Sequence, residues 1–107
     1  MTDWEKALLS TNASIHKAIE TIDNSSMQIA LIVDENKQLL GTVTDGDIRR
    51  GILKGISFDE PVHMVMTTNP VVAKENENRE VILSTMKHQR VYCLPRVNEN
   101  GCVVGLE

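Results

Sequence analysis

The early part of the chain carries an apolar stripe with helical spacing. Its members fall at positions i, i+3, i+4 and i+7, and they are Ile15, Ala18, Ile19 and Ile22. Such a stripe predicts an amphipathic helix that buries one face. Asn12 or Ser14 can cap its first turn, and the polar segment 23–26 is typical of a helix end.

A strand, a turn and a returning strand are predicted next. Residues 29–33 form an unbroken apolar run, which favours a strand that is covered on both faces. The polar segment 34–37 predicts a turn, and residues 39–43 predict the returning strand. A second helix is predicted to start at Thr44 and to end before Gly55.

The chain repeats this pattern once, at a constant spacing that we call the repeat offset. Segment 33–41 aligns with segment 97–105 without a gap, and the same offset places Asn12 on Asn76. The second copy accordingly predicts a helix over 80–90, a strand over 91–97, a turn over 98–101 and a strand over 102–106. We therefore expect an α/β fold, α+β-like in its strand order, made of two β-α-β-β-α units.

Composition narrows the classes of function. The chain has 107 residues and a net charge of −4, which argues against nucleic acid as a partner. No apolar run approaches the ~18 residues of a membrane span, and no signal peptide is apparent, so we expect a cytoplasmic protein with no membrane partner.

The sequence offers no catalytic or metal-binding motif. It lacks a nucleophile elbow, a phosphate loop and a zincin motif, and its three histidines lie far apart from one another. Cys93 and Cys102 sit in apolar, strand-like stretches, which favours a packing role. We expect no catalytic residue, no metal and no cofactor, so an enzyme is the least favoured class.

The most informative stretch is the step from strand to helix over residues 41–50. Thr44 is followed three residues later by Asp47, a spacing that is typical of a capping arrangement at a helix N-terminus. The same geometry suits a ligand, because a hydroxyl and free amides can hold a phosphate and a carboxylate can accept hydrogen bonds from a ribose diol. Gly46 would allow close approach to the backbone, and Asp45 adds negative charge.

Two motifs at repeat spacing resemble those of the CBS domain pair, also called the Bateman module. They are the segment Gly41-Thr-Val-Thr-Asp-Gly-Asp47 and the segment Val65-Met-Thr-Thr-Asn-Pro-Val71. The resemblance implies two CBS repeats, over 1–60 and 61–107, packed with pseudo-two-fold symmetry. Within the family, the pair is most similar to those placed ahead of sugar-phosphate nucleotidyltransferase domains.

The resemblance also implies a binding site for an adenine nucleotide (AMP, ADP or ATP) or for S-adenosylmethionine. Thr44 would contact phosphate or ribose and Asp47 would bind the ribose hydroxyls, with Asp45 and Gly46 beside them. Ile29, Ala30 and Thr11 would line the pocket of the base.

The second copy departs from the family pattern. The counterparts of Thr44 and Asp47 would fall at positions 108 and 111, beyond Glu107. We therefore expect an N-terminal fragment that starts at Met1 and is truncated in its second repeat, and we expect it to form a homodimer.

Two functions remain open at this point. The first is a ligand-sensing module that regulates a downstream catalytic domain. The alternative is a dimerisation or docking scaffold without a ligand, in which Thr44 and Asp47 only cap a helix.

Overall fold

The computed structural model describes residues 4–25, 27–91 and 93–107. The predictions above also include Met1, Ser26 and Tyr92, which lie outside these ranges. The first repeat comprises a short 3-10 turn at Trp4–Ala7, β1 (Leu8–Leu9), α1 (Ile15–Ser25), β2 (Ile29–Val33), β3 (Leu39–Thr44) and α2 (Asp45–Leu53). The second comprises a 3-10 turn at Val62–Met64, β4 (Ala73–Lys74), α3 (Arg79–Gln89), β5 (Pro95–Val97) and β6 (Val103–Leu106).

Each repeat builds its own three-stranded mixed sheet, with strand orders β1-β2-β3 and β4-β5-β6. In both sheets the first pair of strands is parallel and the second pair is antiparallel. The α/β fold class that the sequence predicted is confirmed.

The internal repeat holds at the level of single residues. Helix α3 begins and ends at the positions that the repeat offset assigns to the two ends of α1. The cross-strand pair Ile32–Gly41 of the first sheet corresponds at the same offset to Arg96–Gly105 of the second. The register irregularity that follows this pair is present in both sheets.

The turns between the paired strands are built in the same way. The Asp34 carboxylate accepts hydrogen bonds from the amides of Asn36 at 2.8 Å and Gln38 at 2.9 Å. The side chain of Asn98, the counterpart of Asp34, accepts the corresponding bonds from Asn100 at 2.9 Å and Cys102 at 3.0 Å. Short polar side chains that bond the backbone ahead of them favour this type of turn.

Strand β2 is buried along its whole length, as the apolar run predicted. Alternate residues of a strand point to opposite faces. Ala30 and Ile32 therefore pack with α1 and α2, while the other three residues pack towards Val103 of the second repeat. The first sheet thus separates the helical core of its own repeat from the core between the two repeats.

The two sheets meet along a pseudo-two-fold axis. Gln38 and Cys102, which occupy equivalent positions, face each other in an antiparallel bridge. The Leu39 amide donates to the Gly101 carbonyl and the Val103 amide donates to the Lys37 carbonyl, both at 2.9 Å. These bonds join equivalent positions in exchanged order, as a two-fold axis requires.

Helix α1 follows the prediction, and the Ser14 hydroxyl caps it by accepting from the Lys17 amide at 3.0 Å. The predicted strand over 91–97 is shorter in the structure, since β5 begins only at Pro95. Arg90 adopts a left-handed conformation, and the Val91 amide then bonds back to the Met86 carbonyl at 3.1 Å. The chain is still closing α3 at this point, so it cannot yet pair as a strand.

Candidate ligand-binding cleft

Thr44 is the N-cap of α2. Its backbone is extended, with φ −118° and ψ 172°, and its hydroxyl accepts a hydrogen bond from the Asp47 amide at 3.4 Å. In return, one oxygen of the Asp47 carboxylate (Oδ2) accepts from the Thr44 amide at 2.9 Å. The capping arrangement that the sequence predicted is therefore present.

The same carboxylate makes further contacts. Asp47 Oδ2 also accepts from the Thr44 hydroxyl at 3.2 Å. Asp47 Oδ1 accepts from the Arg50 guanidinium at 2.8 Å and from the Thr67 hydroxyl at 3.2 Å. The Asp47 side chain is only 10% exposed, whereas that of Arg50 is 66% exposed. Asp47 therefore holds together the start of α2 and a residue of the second repeat.

Thr67 is held beside α2 by backbone pairing. The Thr67 amide donates to the Thr42 carbonyl at 2.8 Å, and the Thr42 amide donates to the Thr67 carbonyl at 3.1 Å. Gly41 permits this close pairing, because a Cβ atom at residue 41 would lie 2.7 Å from the Thr67 carbonyl oxygen. The start of the second repeat thus pairs with the edge of β3.

A cleft of about 720 Å³ opens next to this network. Residues of both repeats line it. From the first repeat they are Gln28, Ile29, Thr42, Thr44, Asp45, Gly46, Asp47 and Arg50; from the second they are Thr67, Asn69, Pro70, Val71, Arg90, Val91, Cys93 and Pro95. A cleft of this volume is large enough for a small-molecule ligand.

The structure brings five of the seven predicted site residues to this cleft, namely Thr44, Asp45, Gly46, Asp47 and Ile29. Ala30 is fully buried in the core of the first repeat. It follows Ile29 on β2, so the two side chains point to opposite faces and only one of them can reach the cleft. Thr11 lies in the turn before α1 and is not among the residues that line the cleft.

The sequence did not predict that residues of the second repeat line one side of the cleft. Cys93 is the counterpart of Ile29 at the repeat offset, so the two walls use the same position of each repeat. The repeat offset is a signal that could have identified Cys93. Arg90 has no such signal, because its place in the cleft depends on how α3 ends.

In the part of the chain that the structure describes, the charged groups of the cleft are two carboxylates, Asp45 and Asp47, and two guanidinium groups, Arg50 and Arg90. Arg90 is a residue with positive φ, at 55°, in the C-cap position of α3. A residue with a side chain is less stable in this backbone conformation than glycine would be. Among the described residues, no carboxylate forms an ion pair with Arg90.

The Cys93 thiol donates a hydrogen bond to the Met27 carbonyl at 2.9 Å. Burial raises the pKa of this thiol, because the apolar surroundings disfavour the thiolate. Cys93 lines the cleft with its thiol engaged at this carbonyl. Within the described ranges, no group of three or more His, Cys, Asp or Glu side chains is placed to hold a metal ion.

The family model of the CBS domain matches residues 6–54 and 62–106. The chain belongs to the CBS domain family. A CBS domain pair is a regulatory module and not a catalytic one, so the chain itself is not an enzyme. Over the described residues, no helix is long and apolar enough to cross a membrane.

Two relatives show where such pairs occur. The homoserine O-acetyltransferase of Methanobrevibacter ruminantium is 33% identical over 95 residues, which are 89% of this chain and 19% of that protein. The arabinose 5-phosphate isomerase GutQ of Shigella flexneri is 26% identical over 93 residues, which are 87% of this chain and 29% of that protein. The chain thus spans less than a third of either relative.

Solved structures share the fold. The CBS domain pair of protein MJ0100, in complex with 5'-methylthioadenosine and S-adenosyl-L-methionine, matches with a TM-score of 0.82 at 25% identity, over 94% of this chain and 78% of that one. The CBS domain protein PAE2072 of Pyrobaculum aerophilum, in complex with AMP, matches with a TM-score of 0.83 at 20% identity, over 94% of this chain and 77% of that one.

Proposed function

We propose that this CBS pair senses an adenosine-based ligand in the cleft beside α2 and so regulates an attached catalytic domain. The observation that carries the proposal is the position of Asp47, whose carboxylate borders the cleft at the N-terminus of α2. A carboxylate there can accept hydrogen bonds from the two hydroxyls of a ribose. Thr44 lies beside it, and the free amides of the first turn favour a phosphate.

The apolar part of the cleft suits an adenine base. Ile29 and Val71 come from different repeats and both line it. A base held there contacts the two repeats at once, so binding stabilises one arrangement of the pair. The adenosine-based ligands of the MJ0100 pair support this class of ligand. The free energy of coupling to a second domain is at most the ligand's difference in affinity for the two states, commonly about 1–3 kcal/mol.

The test is calorimetric titration of the CBS pair with AMP, ADP, ATP and S-adenosylmethionine. At least one of these ligands should bind, and Asp47→Asn should weaken that binding about tenfold to a hundredfold, because bonds to a charged acceptor are lost. The variant keeps the size of the side chain and an oxygen that can cap α2.

A second capping residue supplies the matched control. The Asn78 side chain caps α3 by accepting from the Val81 amide at 2.9 Å, and it does not line the cleft. Asn78→Ala should lower the free energy of unfolding by about 1 kcal/mol and leave ligand affinity unchanged. Equal loss of affinity in both variants would show that Asp47 acts only through helix stability.

The complete capping box favours the scaffold function as a second candidate, since it gives Asp47 a structural role without a ligand. In that case none of the four ligands raises the melting temperature. Under the sensor function, a ligand at 100 times its Kd adds about 2.7 kcal/mol and raises the melting temperature by several degrees.

We further propose that the pair forms a homodimer. Leu53 at the end of α2 is 80% exposed, and a partner copy can cover such a side chain. Light scattering at micromolar concentration tests the dimer, and a monomer would contradict it.

We also propose that the attached catalytic domain is a nucleotidyltransferase, which rests on the resemblance noted in the sequence. The two relatives show that a CBS pair accompanies more than one kind of enzyme. The cytoplasmic location also stays a prediction.

A further inference from the structure

Donors of the protein itself already occupy the Asp47 carboxylate. A carboxylate has about four lone-pair positions. Here Oδ2 accepts from the amide and the hydroxyl of Thr44, and Oδ1 accepts from Arg50 and Thr67. A ribose diol can therefore bind Asp47 only if it replaces one of these donors.

Arg50 is the donor that a ligand can replace most easily. The two Thr44 bonds belong to the cap of α2, and Thr67 is fixed by its backbone pairing with Thr42. The Arg50 side chain is long and 66% exposed, and its guanidinium lies over Gly46, where a Cβ atom would be 3.2 Å away. An ion pair with one exposed partner contributes little to stability and is readily exchanged.

Replacement of Arg50 at Asp47 favours a ligand that carries an anion. A diol carries no charge, so it replaces the guanidinium at Asp47 without supplying an anion for Arg50. A ligand that also carries a phosphate does supply one, and a guanidinium binds phosphate through two parallel hydrogen bonds. Arg90 lines the same cleft as a second cation.

We infer that Arg50 determines the specificity of this site: it leaves Asp47 when ribose binds and pairs with a phosphate of the ligand. This inference rests on the proposed function, and it names the ligand class as phosphorylated nucleosides. Uncharged nucleosides bind more weakly, because they free the guanidinium without pairing it. S-adenosylmethionine binds more weakly than AMP, because it carries a positive sulfonium where AMP carries the phosphate that pairs with Arg50.

The experiment compares AMP, adenosine and S-adenosylmethionine on the wild-type pair and on Arg50→Gln by calorimetry at one ionic strength. The wild type should bind AMP at least about tenfold more tightly than adenosine, the scale of one charge-assisted contact. Arg50→Gln should bring the two affinities to within about threefold. Adenosine itself should bind the variant as tightly as the wild type or more tightly, since the competing cation is gone.

Arg49 provides the matched control. It is the neighbouring residue, it is exposed, and it does not line the cleft. Arg49→Gln makes the same change of net charge and should keep the preference for AMP. Arg50→Lys keeps the positive charge but lacks the planar guanidinium group that binds phosphate through two hydrogen bonds, so it should retain only part of that preference.

The outcomes separate the inference from the proposed function. Equal binding of AMP and adenosine by the wild type, tighter binding of S-adenosylmethionine than of AMP, or an unchanged preference in Arg50→Gln would overturn the inference and leave the sensor standing. The same loss in Arg49→Gln would also overturn it, because the effect would then come from overall charge. If neither these three ligands nor ADP and ATP bind, both the inference and the proposed function are overturned.

Discussion

The two repeats share a backbone but fill their cores differently. Ala18 and Ala30 of the first repeat are both fully buried, and their counterparts in the second repeat are Ile82 and Leu94. In the first repeat α2 adds Ile48 to the same core, so small residues suffice at the contact between helix and strand. In the second repeat larger side chains fill that contact.

A second difference lies on the paired strands. Ile32 is buried in the core of the first repeat, whereas its counterpart Arg96 bonds the carbonyls of Glu75 at 2.6 Å and Glu77 at 3.4 Å. Arg96 also forms an ion pair with Glu107 at 2.8 Å. Register and turn chemistry are thus kept at equivalent positions, while the side chains differ according to what covers them.

The largest expected effect is on the core of the second repeat. Leu94→Ala introduces the residue that the first repeat has at the equivalent position. The substitution should lower the free energy of unfolding by about 2–5 kcal/mol, because it leaves a cavity. The reciprocal Ala30→Leu should cost about 1–3 kcal/mol through overpacking. Urea denaturation measures both, and a cost below about 1 kcal/mol for Leu94→Ala would show that the two cores are interchangeable.

The next effect concerns two equivalent glycines. Gly41→Ala should lower the free energy of unfolding by about 1–3 kcal/mol, because the new Cβ meets the Thr67 carbonyl at 2.7 Å. At Gly105 the nearest atom to a new Cβ is 3.8 Å away, on Arg96, so Gly105→Ala should change stability by less than about 0.5 kcal/mol. Similar losses in the two variants would contradict the close pairing of Thr67 with β3 as the cause.

The smallest effect concerns the helix ends. The chain after α2 turns at Gly55, with φ 91°, whereas α3 ends at Arg90, with φ 55°. Arg90→Gly should raise the free energy of unfolding by about 0.5–1 kcal/mol, because glycine adopts this conformation without strain. It should also weaken AMP binding, since a cation of the cleft is lost. A more stable variant with full AMP affinity would show that Arg90 has no part in the site.

The sequence by itself determined the elements whose causes are local. The stripe from Ile15 to Ile22 is sufficient to predict α1, and the spacing of Thr44 and Asp47 is sufficient to predict the capped start of α2. Both predictions work because the helix itself brings together residues that are three or four positions apart. The repeat offset likewise predicted equivalent helices, turns and strands in the second repeat.

Only the tertiary structure decided what faces the cleft. It selected Ile29 over Ala30, left Thr11 outside and added Arg90 from the other repeat. It also paired Asp47 with Thr67, 20 residues further along the chain. These contacts depend on how two units pack about a pseudo-two-fold axis, and chain neighbours carry no signal for contacts between residues that are distant in sequence.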